Sequence, residues 1–145
     1  MNSRNTKITV DVLMTVFLIL SFIRWEGDAT FHFSVGTVCA LLFAIHVFIQ
    51  RKWLRAVTKS CLAGKLTQAL KLKYAVDVLL LAAWIISIAA GFLAIGSFLG
   101  GIESMAVFGR IHGVYARLGL LLVVIHVVQH RDQIFSYLKI RAGKK

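Results

Sequence analysis

Phe31–Val47 reads FHFSVGTVCALLFAIHV, and Ile111–Val127 reads IHGVYARLGLLLVVIHV. Each is an apolar run with a histidine near either end. His32 and His46 mark the first, His112 and His126 the second, with thirteen residues between the members of each pair. Fourteen helical steps of ~100° come to about 1400°, within ~40° of four full turns. Both histidines of a pair therefore share one helix face, ~21 Å apart along the axis. Ionisable side chains inside an apolar helix are costly and need partners. Two of them at matched depth, twice over, point to a shared ligand role.

The repetition reaches beyond the histidines. Ile8–Met14 reads ITVDVLM and follows Lys7; Tyr74–Leu80 reads YAVDVLL and follows Lys73. The chain is thus an internal duplication, with V-D-V-L on the first helix of each half and H-x13-H on the second.

Four apolar segments emerge, at about 8–25, 30–50, 74–99 and 107–129. Each approaches the ~20 residues that span a hydrocarbon core as a helix. Of the 145 residues 59% are hydrophobic, none is proline, and the mean hydropathy is +0.80. A water-soluble domain of this length could not bury so much apolar surface, so lipid is the expected solvent. In lipid the backbone must satisfy its own hydrogen bonds, which selects helices. The expected fold is all-α: an integral membrane up-down four-helix bundle built from two repeated transmembrane hairpins, forming one domain over residues 1–145.

The net charge of +11 raises nucleic acid as a partner, but its distribution argues against that. Seven Lys/Arg and no acid lie between Arg51 and Lys73, and more cations flank the termini. The connections near Arg24–Asp28 and Gly100–Arg110 are close to neutral. This is the positive-inside pattern. It puts both termini and the 51–73 connection on the cytoplasmic side. Within that connection Trp53, Leu54, Val57, Leu62, Leu66, Leu70 and Leu72 interleave with the cations. It reads equally as an interface-lying amphipathic stretch broken at Gly64 or as a basic loop. Cys39 and Cys61 stand far apart, so no disulfide framework is expected, and the lack of CxxCH excludes an ordinary c-type haem attachment. A cleavable leader over the first thirty residues is disfavoured, because no A-x-A site follows.

Under this topology the second and fourth helices run in the same direction. His32 and His112 then share an outer level, and His46 and His126 an inner one. One imidazole from each helix suffices to ligate a haem iron axially at each level, and bundle interiors are where such folds hold cofactors. Two b-type haems are the expectation. A zinc or copper site would want three or four donors in one cluster, and each level offers two. The plainer alternative is that the histidines only hydrogen-bond neighbouring helices.

Several further residues join the candidate site. Gly36 and Gly113 allow a porphyrin plane to approach backbone, and Gly91, Gly96 and Gly119 are small packing positions. Arg117 lies deep in the fourth segment, where a haem propionate would compensate its charge. Arg110 and Arg24 sit at the outer interface, as propionate partners or as snorkelling side chains. Asp11 and Asp77 fall in the expected first turns of their helices. There they suit the helix dipole, or exchange protons beside a quinone. Glu103 is expected in solvent. His130, one turn past His126, is expected to be solvated or headgroup-facing, with proton donation at a quinone site or replacement ligation as alternatives.

Combined with Arg51-Lys52-Trp53 after His46, Gly91-x-x-x-Ile95-Gly96, Arg110-Ile111-His112 and Ile125-His126-Val127, this layout resembles the flavinylation-associated cytochromes. These are small bacterial di-haem membrane proteins, akin to cytochrome b cores. The resemblance runs from about Ile8 to Gln133. It implies a multi-pass protein of the bacterial cytoplasmic membrane that transfers electrons through two haems b, as a subunit beside a flavin, iron–sulfur or cytochrome c partner. The alternatives are a quinol-oxidising or quinone-reducing subunit with its own quinone site, and a non-redox anchor or transporter. The long basic connection departs from the family pattern.

Overall fold

The computed structural model describes residues 3–23, 29–100, 105–132 and 134–136. Among the described residues the main elements are four helices: α1 (Ser3–Phe22), α2 (Ala29–Leu62), α3 (Gln68–Leu99) and α4 (Met105–Gln129). No strand occurs among the described residues. All four helices are long and apolar enough to cross a membrane.

Two of them extend well past the expected span. α2 continues through Arg51–Leu62, and α3 begins at Gln68 rather than near Tyr74. Most of the 51–73 connection is therefore helix, and only residues 63–67 link the two elements. The residues in it are good helix formers, and the cations spread over an exposed surface. Gly64 ends α2 with φ of 67°, the left-handed conformation that glycine adopts without a Cβ clash. Thr67 starts α3, where its hydroxyl accepts a hydrogen bond from the Leu70 amide at 3.4 Å. The sequence expectation of a break at Gly64 matches this turn.

The chain divides at this turn into two compact units, Met1–Ala63 and Gly64–Lys145. In the first, α1 packs against α2, and Val10, Leu18, Val35 and Cys39 are buried. In the second, α3 packs against α4 around Val76, Ala83 and Leu122, with Leu80 and Tyr115 beside them. Val76, Leu80, Ala83, Ser87 and Ala90 alternate by four and three residues, which keeps one narrow stripe of α3 on its partner. Small residues on that stripe let the helices approach closely, the usual basis of helix association in lipid. Gly119 of α4 is an instance: a Cβ there would stand 3.4 Å from the Trp84 indole.

The opposite faces are apolar too. Leu41, Phe48, Leu79 and Leu121 are 58–63% exposed within the chain. Such surface is unstable in water and suits a bilayer. Hydroxyls on these helices turn inward to their own backbone. Thr15, Ser34, Thr37 and Thr58 each donate to the carbonyl four residues earlier at 2.8 Å. A polar group in lipid needs such a partner.

Candidate functional site

Each hairpin holds its two histidines through the same atom. In the first unit, His46 Nδ1 lies 2.7 Å from Asp11 Oδ1 and His32 Nδ1 lies 3.1 Å from the Ser21 carbonyl. In the second, His126 Nδ1 lies 2.6 Å from Asp77 Oδ1 and His112 Nδ1 lies 2.9 Å from the Ser87 carbonyl. The correspondence is residue by residue. Asp77 and Ser87 stand 66 positions after Asp11 and Ser21; His112 and His126 stand 80 after His32 and His46. The duplication thus includes a D-x9-S pattern on the first helix of each pair. Antiparallel packing sets that pattern against H-x13-H on the second helix.

A carbonyl oxygen only accepts, so the Nδ1 of His32 and of His112 carries the hydrogen and donates it. A carboxylate next to His46 and His126 favours the same tautomer. With the hydrogen on Nδ1 the lone pair of an uncharged imidazole lies on Nε2, while the Nδ1 bond fixes the ring plane. The chemistry of the donor set fits axial imidazole ligation.

In the second hairpin His112 makes further contacts with α3. Ser87 is fully buried; its hydroxyl donates to the His112 carbonyl at 3.2 Å and lies 3.3 Å from His112 Nδ1. Gly91, one turn further along α3, leaves room for the ring. A Cβ at Gly91 would stand 2.9 Å from His112 Nδ1. By contrast, a Cβ at Gly36, Gly96 or Gly113 would meet nothing within 4 Å. Packing inside the hairpins therefore does not demand glycine at Gly36 or Gly113.

Two expectations change. Asp11 and Asp77 do not lie in first turns, because α1 starts at Ser3 and α3 at Gln68. Dipole stabilisation fades beyond the first turn, so it does not account for either carboxylate. Their partners are histidines rather than Lys or Arg. His130 is not a solvated residue. It continues the helical hydrogen bonding, its amide donating to the His126 carbonyl at 3.0 Å. Its side chain is 17% exposed, with Nε2 3.8 Å from Asp77 Oδ2 and its ring centroid 4.6 Å from that of His126. Asp77, His126 and His130 bring donor atoms within 4.8 Å of one another, a three-donor cluster that the two-per-level count overlooked.

Arg110 and Arg117 are exposed on α4. Among the described residues no carboxylate lies within ion-pair distance of either. Arg24 and Glu103 lie outside the described residues.

No family model, curated protein or solved structure matches this chain. The site must be read from its own chemistry. Each unit holds two imidazoles on helices long and apolar enough to cross a membrane, each oriented by a hydrogen-bond acceptor from the neighbouring helix of its own hairpin.

Proposed function

We propose that this chain is a membrane cytochrome that conducts electrons through two b-type haems. His32 and His112 would hold one, and His46 and His126 the other. The two hairpins assemble as an up-down four-helix bundle in the bacterial cytoplasmic membrane, with both termini inside. The chain acts as the membrane subunit of a redox complex whose partner carries a flavin, an iron–sulfur cluster or a c-type haem.

The observation that carries this reading is the twice-repeated anchoring of Nδ1. A histidine that only joins two helices has no need of a fixed ring plane and tautomer, whereas a ligand does. Iron in a haem held by two imidazoles supplies one-electron exchange. The chain's residues do the rest. Four imidazoles bind, two carboxylates and two carbonyls orient them, and the apolar helices exclude water. Arg117 and Arg110 are assigned to haem propionates, which would compensate charges that have no carboxylate partner among the described residues. Gly36 and Gly113, with open space beside them, are assigned to porphyrin contact. The family resemblance supports the same reading.

A second reading, quinone chemistry at the inner level, is favoured by one observation. Asp77 and His130 form an acid–imidazole pair next to His126, as proton exchange with a quinol would require.

A reduced-minus-oxidised spectrum of the purified protein tests the first reading, with a pyridine haemochrome assay for stoichiometry. Two haems per chain are expected. His46→Ala and His112→Ala should each leave one haem. Absence of a b-type α-band would sink the cytochrome reading.

A further inference from the structure

The four anchors are not chemically alike. His32 and His112 donate to backbone carbonyls at 3.1 and 2.9 Å. His46 and His126 donate to carboxylates at 2.7 and 2.6 Å. In the ligand pairing proposed above, both carboxylate bonds fall on one haem and both carbonyl bonds on the other. We propose that the haem of His46 and His126 has the lower midpoint potential, and that Asp11 and Asp77 set it by accepting the Nδ1 hydrogen bonds of its two ligands. This rests on the haem reading above.

The physical basis is donor strength. A charge-assisted bond to carboxylate is shorter and about twice as strong as one to a neutral carbonyl. It draws the Nδ1 proton away from the ring, makes Nε2 more basic and favours the ferric over the ferrous state. Each carboxylate also brings a negative charge near the iron, in surroundings where charge is poorly screened. Both effects lower the potential, and neither operates on the carbonyl-anchored pair. Asp11 and Asp77 are positioning residues: they act on the iron only through His46 and His126.

The two carboxylates should not contribute equally. The Asp77 side chain is 10% exposed and that of Asp11 is 47% exposed. Solvent screens Asp11 more, so Asp77 should dominate. The resulting difference between the haems gives the chain a built-in preference: at equilibrium an electron rests on the His32/His112 haem.

The test is a spectroelectrochemical titration of the full chain in lipid nanodiscs. Two midpoints are expected. His46→Ala removes one haem, and the one that remains should titrate at the higher midpoint. Asp77→Asn should raise the lower midpoint and leave the higher one in place. At the ambient potential that half-reduces that haem in the unaltered protein, the reduced-to-oxidised ratio should rise about tenfold, ~59 mV for one electron. Asp11→Asn should shift the same haem in the same direction, by less. Asp132→Asn, the same charge change at a 91% exposed side chain, should move neither. If Asp77→Asn loses the haem outright, Asp11→Asn decides alone. The proposal is overturned if neither Asp variant moves the lower midpoint, if the higher one moves instead, or if the haem surviving in His46→Ala is the lower. A protein without any b-type absorbance removes the haem reading itself. Two haems with unmoved midpoints remove this inference alone.

Discussion

Gly91→Ala isolates the fit of one imbedded imidazole. The added Cβ would stand 2.9 Å from His112 Nδ1, 3.3 Å from Cε1 and 3.7 Å from Cγ. Carbon contacts are most favourable at ~3.5–4.0 Å, so the ring must retreat by several tenths of an ångström. It has little freedom to do so. Its Nδ1 donates to the Ser87 carbonyl at 2.9 Å, and Ser87 is one turn away from Gly91 on the same helix. Retreat weakens that bond, at ~1 kcal/mol, and overpacking adds ~1–3 kcal/mol. Alanine returns ~1 kcal/mol of helix propensity. The net loss is about 1–3 kcal/mol. Gly96→Ala is the matched control on α3, because nothing lies within 4 Å of its added Cβ. It should be neutral or gain up to ~1 kcal/mol. Unfolding in mixed micelles by a denaturing detergent, followed by far-ultraviolet circular dichroism, measures both. The variants should differ by ~1–4 kcal/mol, the sum of the opposite effects. Equal stability of Gly91→Ala and Gly96→Ala would refute the claim that His112 is held against Gly91.

Other consequences are more local. Gly64→Ala places a Cβ at φ 67° and should cost ~1–2 kcal/mol, while Gly64→Asn should cost less; thermal melts of the two compare them. Ser87→Val adds bulk at a fully buried position and removes the hydroxyl bond to the His112 carbonyl, so it should destabilise by about 2 kcal/mol or more, against less than that for Ser87→Ala. Cys61 lies in the last turn of α2, which the positive-inside reading puts on the cytoplasmic side, and Cys39 is buried earlier in the same helix. A membrane-impermeant maleimide should label Cys61 in inside-out vesicles and not in right-side-out ones, and Cys39 in neither. Labelling of Cys61 from the opposite side would reverse the topology.

The helices were legible in the sequence because a span is a property of composition and length. Their ends were less so. The cations from Arg51 to Lys73 mark where the apolar character stops, not where helical hydrogen bonding stops, and α2 and α3 both continue through them. The four histidines could be placed by depth, because a period of 3.6 residues fixes face and rise. What holds them could not be read from one helix at a time. Asp11 meets His46 across 35 positions and Asp77 meets His126 across 49. The clue lay in the antiparallel register of a duplicated hairpin: two D-x9-S patterns facing two H-x13-H patterns. Ser21 and Ser87 gave a weaker signal still, since their carbonyls do the work and any residue has a carbonyl. His130 was misjudged because depth alone decided its surroundings; one turn of further helix turns its ring back toward Asp77.

The main competitor to a ligand role is simple adhesion between helices. An imidazole–carboxylate bond in lipid contributes on the order of 0.6–2 kcal/mol to helix association. That would explain why each hairpin carries one such bond, but it explains the rest poorly. Adhesion is served by any donor that reaches the carboxylate, so asparagine or glutamine would do at His46 and His126. It also gives no reason for His32 and His112, whose acceptors are backbone carbonyls of the neighbouring helix. The Ser87 carbonyl lies in the interior of α3, where the helix itself supplies a donor and no second one is needed. The four positions share no common acceptor type, no common exposure and no common packing. They do share the ring and the nitrogen by which it is held, and both hairpins repeat that pattern at the same spacing. A requirement that falls on the imidazole itself, with Nδ1 bound and the tautomer fixed, is what the proposed coordination at Nε2 would impose.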